Sequence, residues 1–134
     1  MSEPYFTISL RISHPTYTSE SIIEAIGLRA RFANSVGRPR VTPTGAPLEG
    51  TYVETYCSFR LKEKVDGYFV DGIHDLMPTL EGFRTYLREI RDTGGRSELF
   101  IGVFVERTSG FVLEMKDMSK LVDTSLDLYV EYYF

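Results

Sequence analysis

Four arginines form the most concentrated group of chemically capable side chains in this sequence. They fall within twelve residues that contain no Asp or Glu: Arg29, Arg31, Arg38 and Arg40. Guanidinium groups bind carboxylates and phosphates through paired hydrogen bonds, and Gly37 would let the backbone come close to a ligand. No GxxxxGK[ST] pattern accompanies them. Two interpretations stay open: a clamp for an anion or acidic partner, or a charged loop that faces water.

A second group combines carboxylates with a histidine: Asp71, His74, Asp75 and Glu81. Asp71 and Asp75 stand one helical turn apart, so both could reach one cation. The chain supplies no further ligands at a telling spacing. We therefore interpret these side chains as acids near a helix start, where the helix dipole favours them. No metal site and no cofactor is predicted.

Cys57 and His14 are the remaining candidates for chemistry. A catalytic thiol needs exposure and positive surroundings, whereas Cys57 alternates inward with Phe59, as a buried free cysteine would. One cysteine cannot form an internal disulfide, which favours a reducing cytoplasm. His14 stands in a turn beside Pro15 without an identifiable partner. Neither GxSxG nor HExxH occurs, so no catalytic residue is predicted and a non-enzymatic protein is favoured.

The strands that must position these residues follow from alternating apolar residues. Residues 98–106, ELFIGVFVE, are apolar on both faces, which predicts a central strand covered on both sides. Alternation also predicts strands at 5–13, 51–61 and 125–134. A turn at 108–110 leads into a further short strand at 111–115. Residues 62–67 are polar and predicted to be a turn.

Three helices are predicted between these strands. Thr18 or Ser19 can cap the first, and Gly27 marks its end. Apolar residues then step by three and four from Ile73 to Ile90, which is typical of an amphipathic helix. Pro78 should kink this helix or split it, with the main part starting near residue 79. A short third helix is expected over residues 117–122.

The predicted element order is β-α-β-α-β-β-α-β. This favours one α+β domain over residues 1–134: a two-layer sandwich with a mostly antiparallel five-stranded sheet and helices on one face. Residues 29–50 hold three prolines and three glycines and are predicted to be a long surface loop. No signal peptide and no membrane-spanning stretch of about 20 apolar residues is recognisable.

The outward side chains of the predicted strands are unusually aromatic. Six of them form the candidate interface: Tyr52, Tyr56, Phe100, Phe104, Tyr129 and Tyr133. Such a face could be a protein interface, a stacking platform for bases or a flat ligand, or a set of cross-strand pairs under the 29–50 loop. The net charge of −4 makes nucleic acid an unfavourable ligand.

Several soft patterns also resemble a known family. They are the Ile26-Gly27-Leu28 helix ending, the following Gly37-Arg38, the aromatic strand, the long helix before ELFIGVFV and the closing LDLYVEYY. Together they resemble the domain-of-unknown-function family 4279 over nearly the whole chain. The resemblance implies an α+β fold and brings no activity, cofactor or catalytic residue with it.

These observations lead to one functional hypothesis and one rival. The hypothesis is a small non-enzymatic interaction domain of adaptor or toxin-neutralising type, a homodimer through its aromatic sheet face, with a further protein partner possible. The rival is a small-molecule or anion-binding domain, with or without catalysis, that uses the arginines of residues 29–40.

Overall fold

A computed structural model describes residues 4–134 as seven strands and four helices. The elements are β1 (Tyr5–His14), α1 (Ser19–Ile26), β2 (Phe32–Asn34), β3 (Pro39–Val41), β4 (Pro47–Thr51), β5 (Thr55–Asp66), α2 (Phe69–Gly82), α3 (Arg84–Asp92), β6 (Arg96–Phe104), α4 (Met115–Asp123) and β7 (Asp127–Tyr133). None of the helices in this described part is long and apolar enough to cross a membrane.

Five strands form the main sheet in the order β2-β5-β1-β6-β7, and β3 pairs with β4 in a separate hairpin. The predicted α+β class and the five-stranded, mostly antiparallel sheet are confirmed. The sheet is mixed, because β7 runs parallel to β6 while the other neighbours are antiparallel. The crossover through α4 brings the chain back in the same direction, which a parallel pair requires.

The core lies between the inner face of this sheet and the helices. The inward side chains of β1 are almost completely buried: Phe6, Ile8, Leu10 and Ile12. Ile73 and Leu80 of α2 meet them from the helical layer. Helix α2 packs closely on β1 at Gly72, since a Cβ added there would lie 2.6 Å from the Phe6 ring.

The first helix follows its predicted signals. The Thr18 hydroxyl accepts a hydrogen bond from the Ser21 backbone N–H at 3.2 Å, and Gly27 ends the helix with φ at 75°. The second helix differs from the prediction. Helix α2 continues through Pro78 and ends at Gly82, and α3 restarts at Arg84 rather than near residue 79.

The predicted strand at 111–115 is wrong. Residues after β6 run irregularly into α4, and Phe111 packs edge-on against Phe69 of α2, with ring centroids 4.7 Å apart. The edge position beside β6 belongs to β7, which pairs over seven residues from Glu98↔Asp127 onward. Strand β6 therefore has neighbours on both sides, although β1 is the central strand.

The second predicted strand is displaced along the chain. Strand β5 starts at Thr55, so Val53, predicted to point inward, is 91% exposed. The strand continues to Asp66 through the predicted turn at 62–67. Its pairing with β1 shifts register around Ile8, which is how a bulge absorbs the extra residue.

The segment 29–50, predicted to be a loop, contains structure of its own. Strand β2 forms the edge of the main sheet beside β5, and β3 and β4 form the hairpin. All residues of the hairpin strands are exposed, so the segment does lie on the surface.

Candidate interaction face

The face of the main sheet opposite the helices carries five of the six predicted aromatic side chains, and we call it the outer face. Strand register places Phe100 beside Tyr129 and Phe104 beside Tyr133 on β6 and β7, and Tyr5 of β1 beside Phe104. These rings are only partly covered: Tyr129 is 48% and Tyr133 39% exposed. Partly exposed rings that share one face form a contiguous apolar surface of the kind found at interfaces.

Three rings form a stacked row across the outer face. Tyr5 and Phe104 are nearly parallel with centroids 4.6 Å apart, and Phe104 and Tyr133 are 4.8 Å apart. This spacing matches the distance of about 4.8 Å between neighbouring strands, so the rings stand upright on the sheet. Phe104 uses both ring faces within the row, and the row presents ring edges outward. It is therefore a poor platform for stacking a base or another flat ligand.

A second aromatic group lies further along the same strands. The Arg11 guanidinium carbon lies 3.9 Å from the Phe100 ring centroid, and Phe100 contacts Tyr129 with centroids 5.3 Å apart. Glu98 lies 3.7 Å from Arg11 as its ionic partner. This arginine is thus held flat on the sheet by a cation–π contact and by an ion pair.

Two opposite charges flank the stacked row. The Lys64 ammonium lies 4.8 Å from the Tyr5 ring centroid, on the β5 side of the row. Glu131 lies on the β7 side, next to Tyr133. Partial burial and the neighbouring Glu131 carboxylate raise the pKa of Tyr133, so its hydroxyl stays neutral at physiological pH.

The two other predicted interface residues, Tyr56 and Tyr52, lie in different parts of the structure. Tyr56 lies on the outer face, half-buried, beside Ser13 on β1 and Asn34 on β2. Tyr52 does not belong to this face. Its hydroxyl accepts a hydrogen bond from the Val41 backbone N–H at 3.4 Å, so it packs with the β3–β4 hairpin. The prediction for Tyr52 assumed a strand that begins at residue 51, whereas β5 begins at Thr55.

The four predicted arginines do not converge. Arg38 forms a two-pronged ion pair with Glu20, and this pair lowers the pKa of Glu20 to about 2. Arg40 donates to the Glu49 backbone carbonyl at 3.3 Å on the hairpin. Arg29 and Arg31 lie elsewhere, beside β2. The β3–β4 hairpin directs Arg38 and Arg40 away from Arg29 and Arg31.

The carboxylate and histidine group lies on α2 and brings no metal site together. Asp71 and Asp75 share the lining of one small cavity, while His74 lies 3.7 Å from the buried Asp117 of α4. Within residues 4–134, no cluster of three or more His, Cys, Asp or Glu side chains has the spacing to hold a metal ion. Glu81 lies exposed near the end of the helix.

Cys57 is fully buried, as its alternation predicts. Its thiol lies 3.9 Å from the Ser19 carbonyl, and burial raises its pKa to about 11. A thiol that stays protonated and enclosed is neither a nucleophile nor a metal ligand at neutral pH.

His14 has partners that its sequence context did not reveal. Its Nδ1 accepts hydrogen bonds from the backbone N–H groups of Thr16 and Tyr17 at 3.0 and 2.9 Å. Its Nε2 lies 2.7 Å from the Thr93 hydroxyl, and its ring stacks on Tyr17. The histidine therefore joins the end of β1 to the end of α3 as a structural residue.

Two residues of the outer face escaped prediction. Lys64 fell in the predicted turn at 62–67, because a bulge that prolongs a strand leaves no alternation to detect. Phe32, 57% exposed on β2, stood in the predicted loop, since a three-residue strand is too short to show a period.

No protein family, curated protein or solved structure matches this chain.

Proposed function

We propose that this protein is a small non-enzymatic interaction domain that forms a homodimer through its outer face. The observation that carries the proposal is the row of Tyr5, Phe104 and Tyr133, partly exposed and flanked by Lys64 and Glu131. Tyr and Phe give large contact areas at low entropic cost and are enriched at interface centres.

A second copy fits this face because its charges are self-complementary. Lys64 on β5 and Glu131 on β7 lie towards opposite ends of the stacked row and at nearly the same height along the strands. Glu131 neighbours Gly102, Gly102 neighbours Thr7 of β1, and Lys64 falls between the β5 partners of Phe6 and Ile8, which flank Thr7. A twofold axis parallel to the strands places each Lys64 over the Glu131 of the other copy. Two symmetric ion pairs would then enclose the apolar rings of both copies.

The dimensions of the face place the dimer in the size class of weak, transient complexes. Four long strands about 4.8 Å apart, with about seven residues at about 3.3 Å each, give a face of roughly 19 by 23 Å. Two such faces bury on the order of 1,000 Å² in total, below the roughly 1,200 Å² at which stable, specific interfaces begin. Because even interfaces of about 1,600 Å² extend to micromolar dissociation constants, we expect a weak dimer with a dissociation constant in the micromolar range.

Charge reversal tests both the face and the axis. Lys64→Glu alone and Glu131→Lys alone each bring like charges together and should weaken the dimer. The double variant restores opposite charges and should recover dimerisation. If neither single variant weakens dimerisation, this arrangement is wrong. It is also wrong if the double variant dimerises more weakly than both single variants. Val122→Glu is the matched control, because Val122 is 78% exposed on the helical layer.

The adaptor or toxin-neutralising role is the biological form we propose for this domain, acting in a reducing cytoplasm where Cys57 stays free. In that role a protein partner would bind to the dimer. The upright aromatic row supports protein over nucleic acid as that partner, and the net charge of −4 does so too. Affinity purification of the double-tagged protein recovers any bound partner, and the same purification of Phe104→Glu is the control. A partner that is lost with Phe104→Glu needs the dimer, whereas a partner that is retained does not.

A further inference from the structure

A positively charged groove lies at the border of β2 and β5, away from the Glu20–Arg38 pair. It has a volume of about 370 Å³ and is lined by Arg29, Ala30, Arg31, Arg60 and Glu63. Arg29 and Arg31 belong to the arginine group recognised in the sequence, whereas Arg60 comes from β5. The fold therefore assembles an arginine cluster different from the one that the sequence spacing suggested.

Backbone and side-chain contacts fix the groove before any ligand arrives. The Arg31 backbone N–H donates to the Ser58 carbonyl at 2.7 Å, which ties this residue to the edge of the sheet. Arg60 donates from Nε to the Ser9 hydroxyl at 3.0 Å and from Nη1 to Glu63 at 3.3 Å. The Arg60 side chain is only 23% exposed. A guanidinium held in this way loses little conformational entropy when it binds an anion.

The charges in the groove do not balance. Three arginines and one glutamate leave a formal charge of +2, within a chain whose net charge is −4. Glu63 is shared between Arg60 and Arg31, the latter at 3.9 Å. None of the ion pairs within residues 4–134 includes Arg29, so its guanidinium has no carboxylate partner there.

We propose that this groove binds a doubly charged oxyanion, such as the phosphate of a phosphomonoester or a small dicarboxylate. Arg60 would supply a fixed donor at the base, and Arg29 and Arg31 would close on the anion from the β2 side with two-pronged hydrogen bonds. Phe32, exposed beside Arg31, would contact the organic part of the ligand. The groove lies at the β2 edge of the outer face and is complete within one copy, so the site needs no second copy.

Binding is measured by isothermal titration calorimetry and by amide chemical shifts at low ionic strength, where charge interactions are least screened. The probes are phenyl phosphate and malonate, with phenyl sulfate as a singly charged control. We expect saturable binding of at least one dianion, with shifts centred on residues 29–32 and 58–63. The dianion that binds more tightly identifies which oxyanion class the groove accepts.

Three variants assign the binding to the groove. Replacing Arg29 and Arg31 together by Ala should weaken binding about tenfold or more, because charge-assisted hydrogen bonds are lost. Arg38→Ala should leave binding unchanged, since Arg38 pairs with Glu20 elsewhere. Glu63→Gln should tighten binding, because it removes the competing carboxylate without changing the shape.

Absence of saturable binding for both dianions would overturn the proposal. Equal weakening in Arg38→Ala would overturn it too, since that result points to a general charge effect. Unchanged or weaker binding in Glu63→Gln would also overturn it, because it would place the anion away from Glu63 and therefore outside the groove. Sedimentation of the same variants keeps the two proposals distinct, because the groove is formed within one copy and a monomer should still bind the dianion.

Discussion

The pH dependence of stability is predicted to rest in part on His14. This imidazole is completely buried, and its Nδ1 accepts two backbone N–H groups. The Thr93 hydroxyl donates to the Glu89 carbonyl at 2.7 Å, which assigns the imidazole proton to Nε2. Protonation of Nδ1 would remove both of its hydrogen bonds and place a charge in the interior.

The direction of the effect follows from the pKa. Burial lowers the pKa of His14 below its ordinary 6.5, against a smaller opposing influence of the Glu89 carboxylate. In the unfolded chain His14 takes up a proton near pH 6.5, whereas in the folded protein His14 stays neutral until a lower pH. The unfolded state therefore binds more protons in this window, and stability falls as the pH drops below 6.5. Above that pH the contribution of His14 is complete.

The size of the effect has an upper limit. A single proton changes the free energy of unfolding by at most about 1.4 kcal/mol per pH unit. His14→Asn provides the matched comparison, because its amide oxygen can still accept both N–H groups but does not titrate in this range. The difference in unfolding free energy between wild type and His14→Asn should be constant above about pH 7. Below pH 6.5 it should shrink by at most about 1.4 kcal/mol for each pH unit.

The assay is urea unfolding followed by far-ultraviolet circular dichroism at half-unit intervals between pH 5 and 8, since the chain has no tryptophan. His74→Asn serves as a second control, because the His74 side chain is 59% exposed. Parallel stability curves for wild type and His14→Asn would refute the reasoning, as would a difference that grows towards acid.

Two further predictions concern packing and thiol chemistry. Gly72→Ala should destabilise the protein by about 1–3 kcal/mol, because the new Cβ meets the Phe6 ring, whereas Gly82→Ala has open space and should be neutral or up to about 1 kcal/mol stabilising. Urea unfolding of both variants decides this, and equal effects would show that α2 does not approach β1 so closely. Cys57 should react with a thiol reagent only after unfolding, because its pKa is about 11 in a buried site. Rapid labelling of the native protein would contradict that.

Much of the fold could be predicted because single strands and helices leave local signals. Alternation placed Phe6 and Ile12 inward on β1, and it placed Tyr129 and Tyr133 together on the outer side of β7. The cap at Gly27 is equally local. These features depend on periods of two and on one glycine with positive φ, both of which are written into adjacent residues.

The features that escaped prediction depend on pairing between distant residues. Strand β2 contains three residues and exists because it hydrogen-bonds to β5. The bulge in β5 arises where β1 and β5 meet, and the parallel placement of β7 arises from the crossover through α4. Residues 111–115 follow a turn-like segment as the second strand of a hairpin would, but Phe111 is held by Phe69 of α2. Local patterns do not encode such contacts.

The candidate site shows the same difference between features that local patterns predict and features that depend on distant residues. Five of the six predicted interface aromatics share the outer face, and only Tyr52 departs, because the strand began later than expected. The arginines were close in sequence but were separated by the β3–β4 hairpin. Arg60 joined two of them from a strand that lies nearly thirty residues further along the chain.

Self-association through the outer face is the central claim, and sedimentation equilibrium over about 5–500 μM tests it most directly, given the expected micromolar affinity. We expect the wild type to shift from the monomer mass of 15.3 kDa to twice that value as concentration rises. Phe104→Glu and Tyr129→Glu should stay folded and monomeric by the same measurement, while Val122→Glu dimerises normally. A wild type that stays monomeric throughout, or folded outer-face variants that still dimerise, would contradict the account.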